Sequence, residues 1–385
     1  MKKNNIIALK AAILTMSLVQ LGTNGIGPIL AQISAAFPGT SDTTVQFLMT
    51  FPILFTMIFE ILSSLMAQRL PKKALTLSGL VIVAAGGIMA FLFHSSMGIM
   101  FLWAAVIGIG LGFVAPIAPA LINENFKEHE KEVMLGWQNS ASTIGSMIMT
   151  FACGFLAAAG WNYGYLVYLI GIPGIICTLI GLPSSKVRSV AGTQPESKDR
   201  GVFRLVIWRE MIIACFFLML YSAIPANVSM LMAERGIQDA SVSGMVTTLF
   251  SLAGMLMGLV FGYVMSVLKK LTNTVGVILL AAGSVIMGIS TNVPALIAGS
   301  IIAGFSMSMV MPVCMGAASK LPGYEVINSA LIMASTSVGI FITPLLTSLT
   351  AAVTGSTAVS VRFIAFGVIG VILAIVTVLL KIEKK

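Results

Sequence analysis

The chain has 385 residues, of which 58% are hydrophobic and only 9% are charged, and its mean hydropathy is +1.02. Soluble domains carry about 25% charged residues, so this composition excludes an ordinary soluble fold. The formal net charge at pH 7 is +9, and its meaning depends on where the cations lie.

Continuous apolar runs follow one another along the whole sequence. The hydrocarbon core of a bilayer is about 30 Å thick and needs about 20 apolar residues per helix. The first run resembles a secretory signal peptide, but Gln20 and Asn24 interrupt its apolar core and further runs follow, so we interpret it as a retained helix. The sequence therefore predicts an all-α integral membrane protein whose twelve transmembrane helices occupy residues 6–31, 43–66, 74–94, 97–122, 132–158, 162–182, 210–233, 241–266, 271–290, 294–318, 325–351 and 359–380.

The cations lie on one side of this arrangement. With the N-terminus inside, all of the 22 Lys and Arg residues fall in inner segments except Arg235 and Arg362. Cytoplasmic loops of membrane proteins are enriched in Lys and Arg. The net charge is therefore a signal of topology and does not require nucleic acid as a partner. We expect a multi-pass protein of the cytoplasmic (cell) membrane with both termini in the cytoplasm.

One long polar interval divides the runs six and six. Residues 184–210 read SSKVRSVAGTQPESKDRGVFRLVIWRE, and their Ser, Gly, Pro and charge content is typical of a flexible linker. The predicted domains are therefore an N-terminal six-helix bundle over residues 1–183, a cytoplasmic linker over 184–209 and a C-terminal six-helix bundle over 210–385.

The two halves share short patterns at equivalent places. The fourth run contains GFVAP (Gly112 to Pro116) and the tenth contains GFSMSMVMP (Gly304 to Pro312), while NSASTIG in the fifth run matches MASTSVG in the eleventh. Together with the division into six and six, these matches indicate an internal duplication. Parallel repeats related by an axis along the membrane normal are a transporter architecture, in which the substrate lies near the midplane between the repeats.

Two loops carry a motif of known type. SLMAQRLPKK, between the second and third runs, resembles the Gly-x-x-x-Asp-Arg-x-Gly-Arg-Arg motif of the major facilitator superfamily: its three cations are kept, whereas Ser64, Gln68 and Pro71 stand where the family has Gly, Asp and Gly. GYVMSVLKK, between the eighth and ninth runs, resembles a second copy, and AAGWNYGYLVYLIGIPG is similar to the Gly-Trp-Arg stretch that opens the sixth helix. The predicted gating-loop residues are Ser64, Gln68, Arg69, Lys72, Lys73, Gly262, Lys269 and Lys270.

This resemblance implies the major facilitator fold, in which two six-helix bundles related by pseudo-two-fold symmetry work by alternating access. In the family the loop Asp and its neighbouring cations form an ionic latch, and Gln68 cannot supply that charge. The arginine of the fourth helix that many members use for proton coupling would fall near Ala104, and the antiporter motif of the fifth helix would have Gly-Pro where this chain has Met149 and Thr150. These departures argue against a typical proton/drug antiporter and do not argue against transport.

The polar residues near the middle of the runs are neutral. The absence of Lys and Arg from the middle third of every run disfavours dianionic substrates, which usually need a cation in their site. In the family, helices 1, 4, 7 and 10 line the cavity and helices 2, 5, 8 and 11 form its interfaces. The alternative is that these polar residues join helices by hydrogen bonds that contribute about 0.6 kcal/mol each. The candidate substrate contacts are Gln20, Asn24, Gln138, Asn139, Tyr221, Asn227, Ser335 and Thr336, with Ser142 in the same polar set.

Methionine and glycine are concentrated in two of the runs. Methionines of the tenth run could line an adaptable apolar cavity, although packing against lipid or other helices explains them as well. The glycines of the eighth run, GxxxGxxxG, are typical of close helix packing. The residues concerned are Met307, Met309, Met311, Met315, Gly254, Gly258 and Gly262.

Glu60 is the one carboxylate well inside a predicted helix. At 3.6 residues per turn, it shares a stripe with Gln46, Thr50 and Ser64 that runs down to the first loop motif. Ionisable residues inside a membrane are candidates for function, so we predict that Glu60 couples transport to protons. The alternative is a neutral acid that is hydrogen-bonded at a helix interface.

These observations favour a secondary active transporter that exports a neutral, lipophilic or weakly cationic small molecule in exchange for protons. Uptake or uniport of a neutral nutrient is the alternative, and a transporter-like receptor that moves no solute is a third possibility. An enzyme is not expected, because no P-loop, HExxH or GxSxG motif occurs. We expect no cofactor and no metal, since the four Cys lack CxxC spacing. The expected partners are the substrate, H⁺ and the lipid bilayer, and the expected state is a monomer.

The predicted topology can be tested with reporter fusions. Fusions placed after residues 39, 129, 195, 238 and 385 are expected to report outside, inside, inside, outside and inside, because the runs alternate across the membrane and the cations stay in the cytoplasm. An outside location of position 195 would contradict the division into six and six.

Overall fold

The computed structural model describes residues 3–67, 69–126, 128–182, 205–237, 239–318 and 325–382. Within these ranges the regular structure is helical throughout, as the apolar runs predict. The α-helices are α1 (Lys3–Ser17), α2 (Leu30–Ala36), α3 (Asp42–Met66), α4 (Lys72–Leu92), α5 (Met97–Val114), α6 (Ile117–Asn125), α7 (Glu128–Leu156), α8 (Gly171–Gly181), α9 (Leu205–Glu234), α10 (Ala240–Leu268), α11 (Thr272–Ile289), α12 (Val293–Gly304), α13 (Ser306–Ala318), α14 (Glu325–Phe341), α15 (Thr343–Thr354) and α16 (Val359–Ile382).

The described helices account for the predicted spans. Ten are long and apolar enough to cross a membrane, and the bent pair Leu331–Phe341 and Thr343–Thr354 makes an eleventh if it forms one span. The fifth run forms α7, whose 29 residues would reach about 43 Å at 1.5 Å per residue. Its more polar sequence, which contains NSAST, separates it from the others.

Several predicted helices are interrupted. The first run becomes α1, the 3₁₀ segment Gly22–Ile29 and α2, and the sixth becomes the 3₁₀ segment Trp161–Ile170 and α8. Prolines lie at three of the breaks: Pro28 is inside the first 3₁₀ segment, Pro116 lies between α5 and α6, and Pro344 is in the first turn of α15. Proline lacks a backbone N–H and its ring clashes with the preceding turn, so the regular helical hydrogen bonding is interrupted there. At the break before α15 the two helix segments meet at 49°.

The chain divides into two compact units. One consists of residues 1–191 together with 239–248, and the other of 192–238 together with 249–385. The first turns of α10 therefore belong with the N-terminal unit, a pairing that the sequence pattern did not indicate. The helix α9 begins at Leu205, before the predicted start of the C-terminal bundle at residue 210. The part of the predicted linker over 184–204 lies outside the described residues.

The internal duplication is visible in how glycines bring helices together. A Cβ on Gly145 of α7 would lie 2.0 Å from the carbonyl oxygen of Leu18, and a Cβ on Gly339 of α14 would lie 2.2 Å from that of Cys215. These are the glycines that end NSASTIG and MASTSVG. Each unit thus uses the same contact, a glycine of its fifth helix against the backbone of its first.

A second pair of contacts corrects the alignment of the fourth and tenth runs. A Cβ on Gly108 would lie 2.3 Å from the carbonyl oxygen of Pro52, and a Cβ on Gly304 would lie 2.2 Å from that of Phe250. The partner of Gly304 in the first unit is therefore Gly108. The sequence match had paired Gly304 with Gly112. That pairing was wrong, because the equivalent positions of the two units are defined by the close helix contacts and not by the residues that flank each glycine.

These contacts predict that alanine substitution destabilises the protein more at a glycine in a close helix contact than at a glycine without one. Gly145→Ala is expected to lower the free energy of unfolding by about 1–3 kcal/mol, because its methyl group would overlap a backbone oxygen that cannot move alone. Gly136→Ala is the matched control on the same helix, since a Cβ there meets nothing within 4 Å among the described residues. Thermal unfolding of the purified variants in detergent measures both, and equal melting temperatures would contradict the helix contact.

Candidate functional site

Three of the polar residues predicted in the N-terminal unit form one hydrogen-bonded cluster. The Gln138 amide donates to Gln20 Oε1 at 3.0 Å, and the Ser142 hydroxyl donates to the same oxygen at 2.8 Å. The Gln20 amide nitrogen donates in turn to the carbonyl of Ala115 at 3.5 Å. The amide of Gln20 thus joins the broken first helix to α7 and to the break between α5 and α6.

The break in the first helix is what presents Gln20 to its partners. After α1 ends at Ser17 the chain tightens into i→i−3 turns, with Gln20 N–H donating to Ser17 O at 3.1 Å and Gly22 N–H to Val19 O at 2.9 Å. Short 3₁₀ stretches within a helix often mark functional hinges. Tyr168 stabilises this segment, since its hydroxyl donates a hydrogen bond to Gly22 O at 3.1 Å.

The other two polar candidates of this unit are placed differently. The Asn24 side chain is half-buried, and that of Asn139 is exposed on α7. Among the residues that the structure describes, neither amide has a hydrogen-bond partner. They therefore remain available for contacts outside the protein, whereas the Gln20 cluster is occupied within it.

In the C-terminal unit, Tyr221 is the candidate whose polar group has no hydrogen-bond partner among the described residues. It is half-buried, its ring lies 5.8 Å from that of Phe217 and 4.5 Å from that of Phe250 between centroids, and its hydroxyl bonds to no described residue. The sequence had grouped Tyr221 with Asn227, but the two side chains have different surroundings.

Asn227 and the two candidates of the eleventh run are engaged within the unit. Asn227 is fully buried, and its amide donates to Ala223 O at 2.9 Å and to Thr347 Oγ1 of α15 at 3.5 Å. The hydroxyls of Ser335 and Thr336 donate to carbonyls of their own helix. These contacts favour the alternative interpretation for the three residues, which is hydrogen bonding within and between helices.

Glu60 lies half-buried on α3, close to α5. Its carboxyl group accepts no hydrogen bond and forms no ion pair with any residue that the structure describes. The stripe predicted for α3 is uneven, because Gln46 and Thr50 are completely buried, whereas Ser64 is exposed and donates to the backbone oxygen of Glu60 at 2.8 Å.

The lysines of the first loop motif make contacts of their own. Lys72 forms an ion pair with Glu124 at the end of α6, and Lys73 Nζ donates to Leu179 O in the last turn of α8 at 2.7 Å. A cation at a helix C-terminus is favourable to the helix dipole. Arg69 is exposed and has no partner in the described part of the chain, and Gln68 lies outside that part. The two lysines therefore hold helix ends together in addition to marking topology.

The second loop motif, between α10 and α11, has space around its glycine. A Cβ on Gly262 would meet nothing within 4 Å in the described structure. Lys269 adopts a positive φ of 47° in the turn that joins α10 to α11, and the side chain of Lys270 lies outside the described residues. The latch role expected of both loops stays a prediction.

A cluster of charged residues near the ends of α9 and α11 and the start of α16 was not predicted from the sequence. Arg235 donates to Gly288 O near the end of α11 at 2.7 Å, and Arg362, which is 4% exposed, donates to Thr357 O at 2.9 Å. Glu234 accepts from the Ser360 hydroxyl at 2.5 Å and from backbone N–H groups in the first turn of α16. The available signal was that these arginines are the two exceptions to the charge asymmetry.

No three His, Cys, Asp or Glu side chains of the described residues come close enough to hold a metal ion. The arrangement instead offers neutral hydrogen-bonding groups, one carboxyl inside a helix and two repeated helical units. A polytopic helical arrangement with an internal repeat and polar groups inside its spans is typical of membrane transporters.

The chain belongs to the Major Facilitator Superfamily, whose sequence model matches residues 12–238 and again 211–385. Its structure is similar to a bacterial homologue of the human lysosomal transporter Spinster in an inward-facing, unoccupied conformation (TM-score 0.79, 12% identity, 98% of this chain and 97% of that chain covered). A POT family transporter in complex with a thioalcohol-conjugated peptide matches at TM-score 0.76 and 13% identity over 98% and 96% of the two chains. The nucleoside transporter NupG matches at TM-score 0.75 and 13% identity over 96% and 98%. A search of curated protein sequences finds no match.

The Gln20 cluster predicts a measurable coupling between helices. In a double-mutant cycle, Gln20→Leu and Ser142→Ala are expected to be coupled by about 0.6 kcal/mol and at most about 2 kcal/mol, the range of hydrogen bonds between membrane helices. Chemical or thermal unfolding in detergent supplies the four stabilities. Thr143→Ala replaces Ser142→Ala in the control cycle, because the Thr143 hydroxyl donates to Asn139 O of its own helix. Coupling of the same size in both cycles would mean that the bond to Gln20 is not the cause.

Proposed function

We propose that this major facilitator protein is a proton-coupled exporter of a neutral, lipophilic or weakly cationic small molecule, with Glu60 as the proton carrier. The observation on which the proposal rests is the carboxyl of Glu60, which lies inside a membrane-spanning helix without a partner among the described residues. A charged side chain at the centre of a membrane helix costs about 2.5–3.5 kcal/mol on insertion scales. The carboxyl therefore holds a proton when water is excluded and releases it when its site becomes hydrated.

The backbone around Glu60 is held firmly, which suits a group that must sit at one place in the protein. A Cβ on Gly112 would lie 3.1 Å from the Glu60 nitrogen, so α5 approaches this turn of α3 at backbone distance. One turn away, Ser63 donates to Phe113 O at 2.9 Å, and the rings of Phe59 and Phe113 meet edge to face with centroids 5.5 Å apart. Alternating access would then hydrate the carboxyl without a large movement of its own helix segment.

The chemistry of the substrate follows from the polar groups that have no hydrogen-bond partner among the described residues. Asn24, Asn139 and Tyr221 offer neutral donors and acceptors, and no Lys or Arg accompanies them in the middle of the spans. A dianion would find no counter-charge there. An uncharged compound, or a weak base that crosses in its neutral form, loses least by entering such surroundings.

Uptake or uniport of a neutral nutrient is the second candidate. The amides of Asn24 and Asn139 favour it, because carboxamides pair well with hydroxyl and amide groups of polar solutes. One structural neighbour is a nucleoside transporter, although at 13% identity this likeness carries the fold only. The two candidates differ in direction and in their need for a proton gradient.

The test is flux in proteoliposomes that contain the full chain. A mixture of neutral, weakly basic and anionic compounds is offered with and without an imposed pH gradient, and mass spectrometry identifies what accumulates. The proposal expects gradient-dependent movement of neutral or weakly basic compounds against the proton flux. Accumulation of anions, or movement that no gradient alters, would contradict proton-coupled export.

Glu60→Gln is the decisive variant in this assay. Gln keeps the size of the neutral acid but cannot release a proton, so gradient-driven accumulation is expected to disappear while exchange of substrate for substrate continues. Glu124→Gln is the matched control, because Glu124 pairs with Lys72 in the loop region and should leave gradient-driven flux nearly unchanged. Wild-type accumulation by the Glu60 variant would make Glu60 structural, and coupling would then need another group or be absent.

A further inference from the structure

The break between α5 and α6 leaves a backbone carbonyl without a helical donor. Pro119 lies four residues after Ala115, and a proline has no N–H to donate to the carbonyl four residues before it. No other backbone N–H in the described part of the chain donates to Ala115 O. A carbonyl inside a membrane needs a partner within the protein, so a side chain has to supply the donor.

The side-chain amide of Gln20 supplies it. Gln20 Nε2 lies 3.5 Å from Ala115 O. Gln20 Oε1 accepts from Gln138 Nε2 at 3.0 Å and from Ser142 Oγ at 2.8 Å, and both of these donor residues are 6% exposed. Because two buried donors hold the oxygen of the amide, its nitrogen is directed to the other side, toward Ala115.

The three bonds of this amide differ in strength. The two bonds to its oxygen have ordinary lengths, whereas the 3.5 Å between Gln20 Nε2 and Ala115 O exceeds the usual range of about 2.7–3.2 Å for N–H···O bonds. This long bond joins two interruptions, the 3₁₀ segment that follows α1 and the break after α5. Interrupted helices bend most easily where the regular bonding stops. A small movement of the first helix would therefore tighten or break this bond before the others.

The same end of α5 also holds the turn of α3 that carries Glu60. Two residues before Ala115, the carbonyl of Phe113 accepts from Ser63 Oγ at 2.9 Å. One residue earlier, a Cβ on Gly112 would lie 3.1 Å from Glu60 N. A displacement of the end of α5 therefore changes the surroundings of Glu60. Since no described residue donates a hydrogen bond to this carboxyl, access of water decides whether it is ionised.

We propose that Gln20 is a positioning residue for Glu60, whose bond to Ala115 O passes movement of the broken first helix through the end of α5 to the carboxyl. The inference rests on the proposed transport function and names the regulation of its proton carrier. With the bond made, the end of α5 is held and water is kept from Glu60. With the bond broken, the carboxyl is hydrated and ionises. A solute that engages Gln20 thus controls the proton on Glu60 without touching it.

Labelling with dicyclohexylcarbodiimide tests this without a substrate, because the reagent is apolar and reacts with protonated carboxyl groups. The full chain in proteoliposomes is labelled over a series of pH values, peptide mass spectrometry follows the adduct on Glu60, and Glu60→Gln shows that the signal is specific. Gln20→Met is expected to slow labelling at neutral pH about two- to tenfold, the range for loss of one neutral hydrogen bond, because the released site is hydrated and ionised.

Gln32→Met is the matched control. It is the same substitution in the same predicted span, and Gln32 Oε1 has no partner among the described residues, so labelling at the wild-type rate is expected. All labelling is done below the melting transitions of the variants, so that unfolding does not contribute. A slowing by Gln32→Met as large as that by Gln20→Met would overturn the inference.

Ser63→Ala is the second variant, because it loosens the same end of α5 from the side of α3. It is expected to slow labelling as well. The double variant of Gln20→Met and Ser63→Ala should slow labelling by less than the product of the two single effects, since both act through one element. Single effects that multiply, or labelling of Gln20→Met at or above the wild-type rate, would overturn the inference.

The two proposals fail in different ways. Loss of gradient-driven flux in Glu60→Gln, together with wild-type labelling of Gln20→Met, would leave proton-coupled export standing and refute the positioning role. Slow labelling of Gln20→Met, together with wild-type flux in Glu60→Gln, would support the positioning contact and refute export through Glu60.

Discussion

The structure depends on one constraint, which is that polar groups inside a bilayer must find their partners within the protein. Most hydroxyls of the described helices satisfy it locally: Ser17 donates to Ile13 O and Thr150 to Ser146 O, one turn back on the same helix. Where a helix breaks, the constraint is met across helices, as Gln20 does with Gln138, Ser142 and Ala115. Against this background, polar groups without partners are informative, and the proposed function uses the Glu60 carboxyl and the Tyr221 hydroxyl among them.

Glycines allow the helices of each unit to pack at backbone distance. Where two helices meet at Gly145 or Gly339, backbone touches backbone, and no side chain intervenes that could rearrange. Both units use such contacts at equivalent positions, so each unit gains a stiff framework from the same few residues. Stiff units suit a transporter of this family, since alternating access is largely rigid-body movement of repeats.

The positions of the Lys and Arg residues reflect the orientation of the chain during membrane insertion as well as packing in the folded protein. Lys72 and Lys73 obey the charge asymmetry and also join α4 to α6 and α8. Arg235 violates the asymmetry and is bonded to a carbonyl at the end of α11. Glu234, beside it, lies at the N-terminus of α16, where the helix dipole favours an anion.

The sequence by itself determined the class, the helical content, the division into two similar halves and the family, because hydropathy, charge asymmetry and repeated patterns are local properties of the chain. It also placed the polar candidates on the correct helices. Only the tertiary structure decided which partners each candidate has, since those partners come from distant segments. It paired Gly304 with Gly108, engaged Asn227 with Thr347, and left the Tyr221 hydroxyl and the Glu60 carboxyl without partners among the described residues. Helix spacing along the chain gives the face of a residue, whereas its hydrogen bonds depend on which neighbour packs against that face.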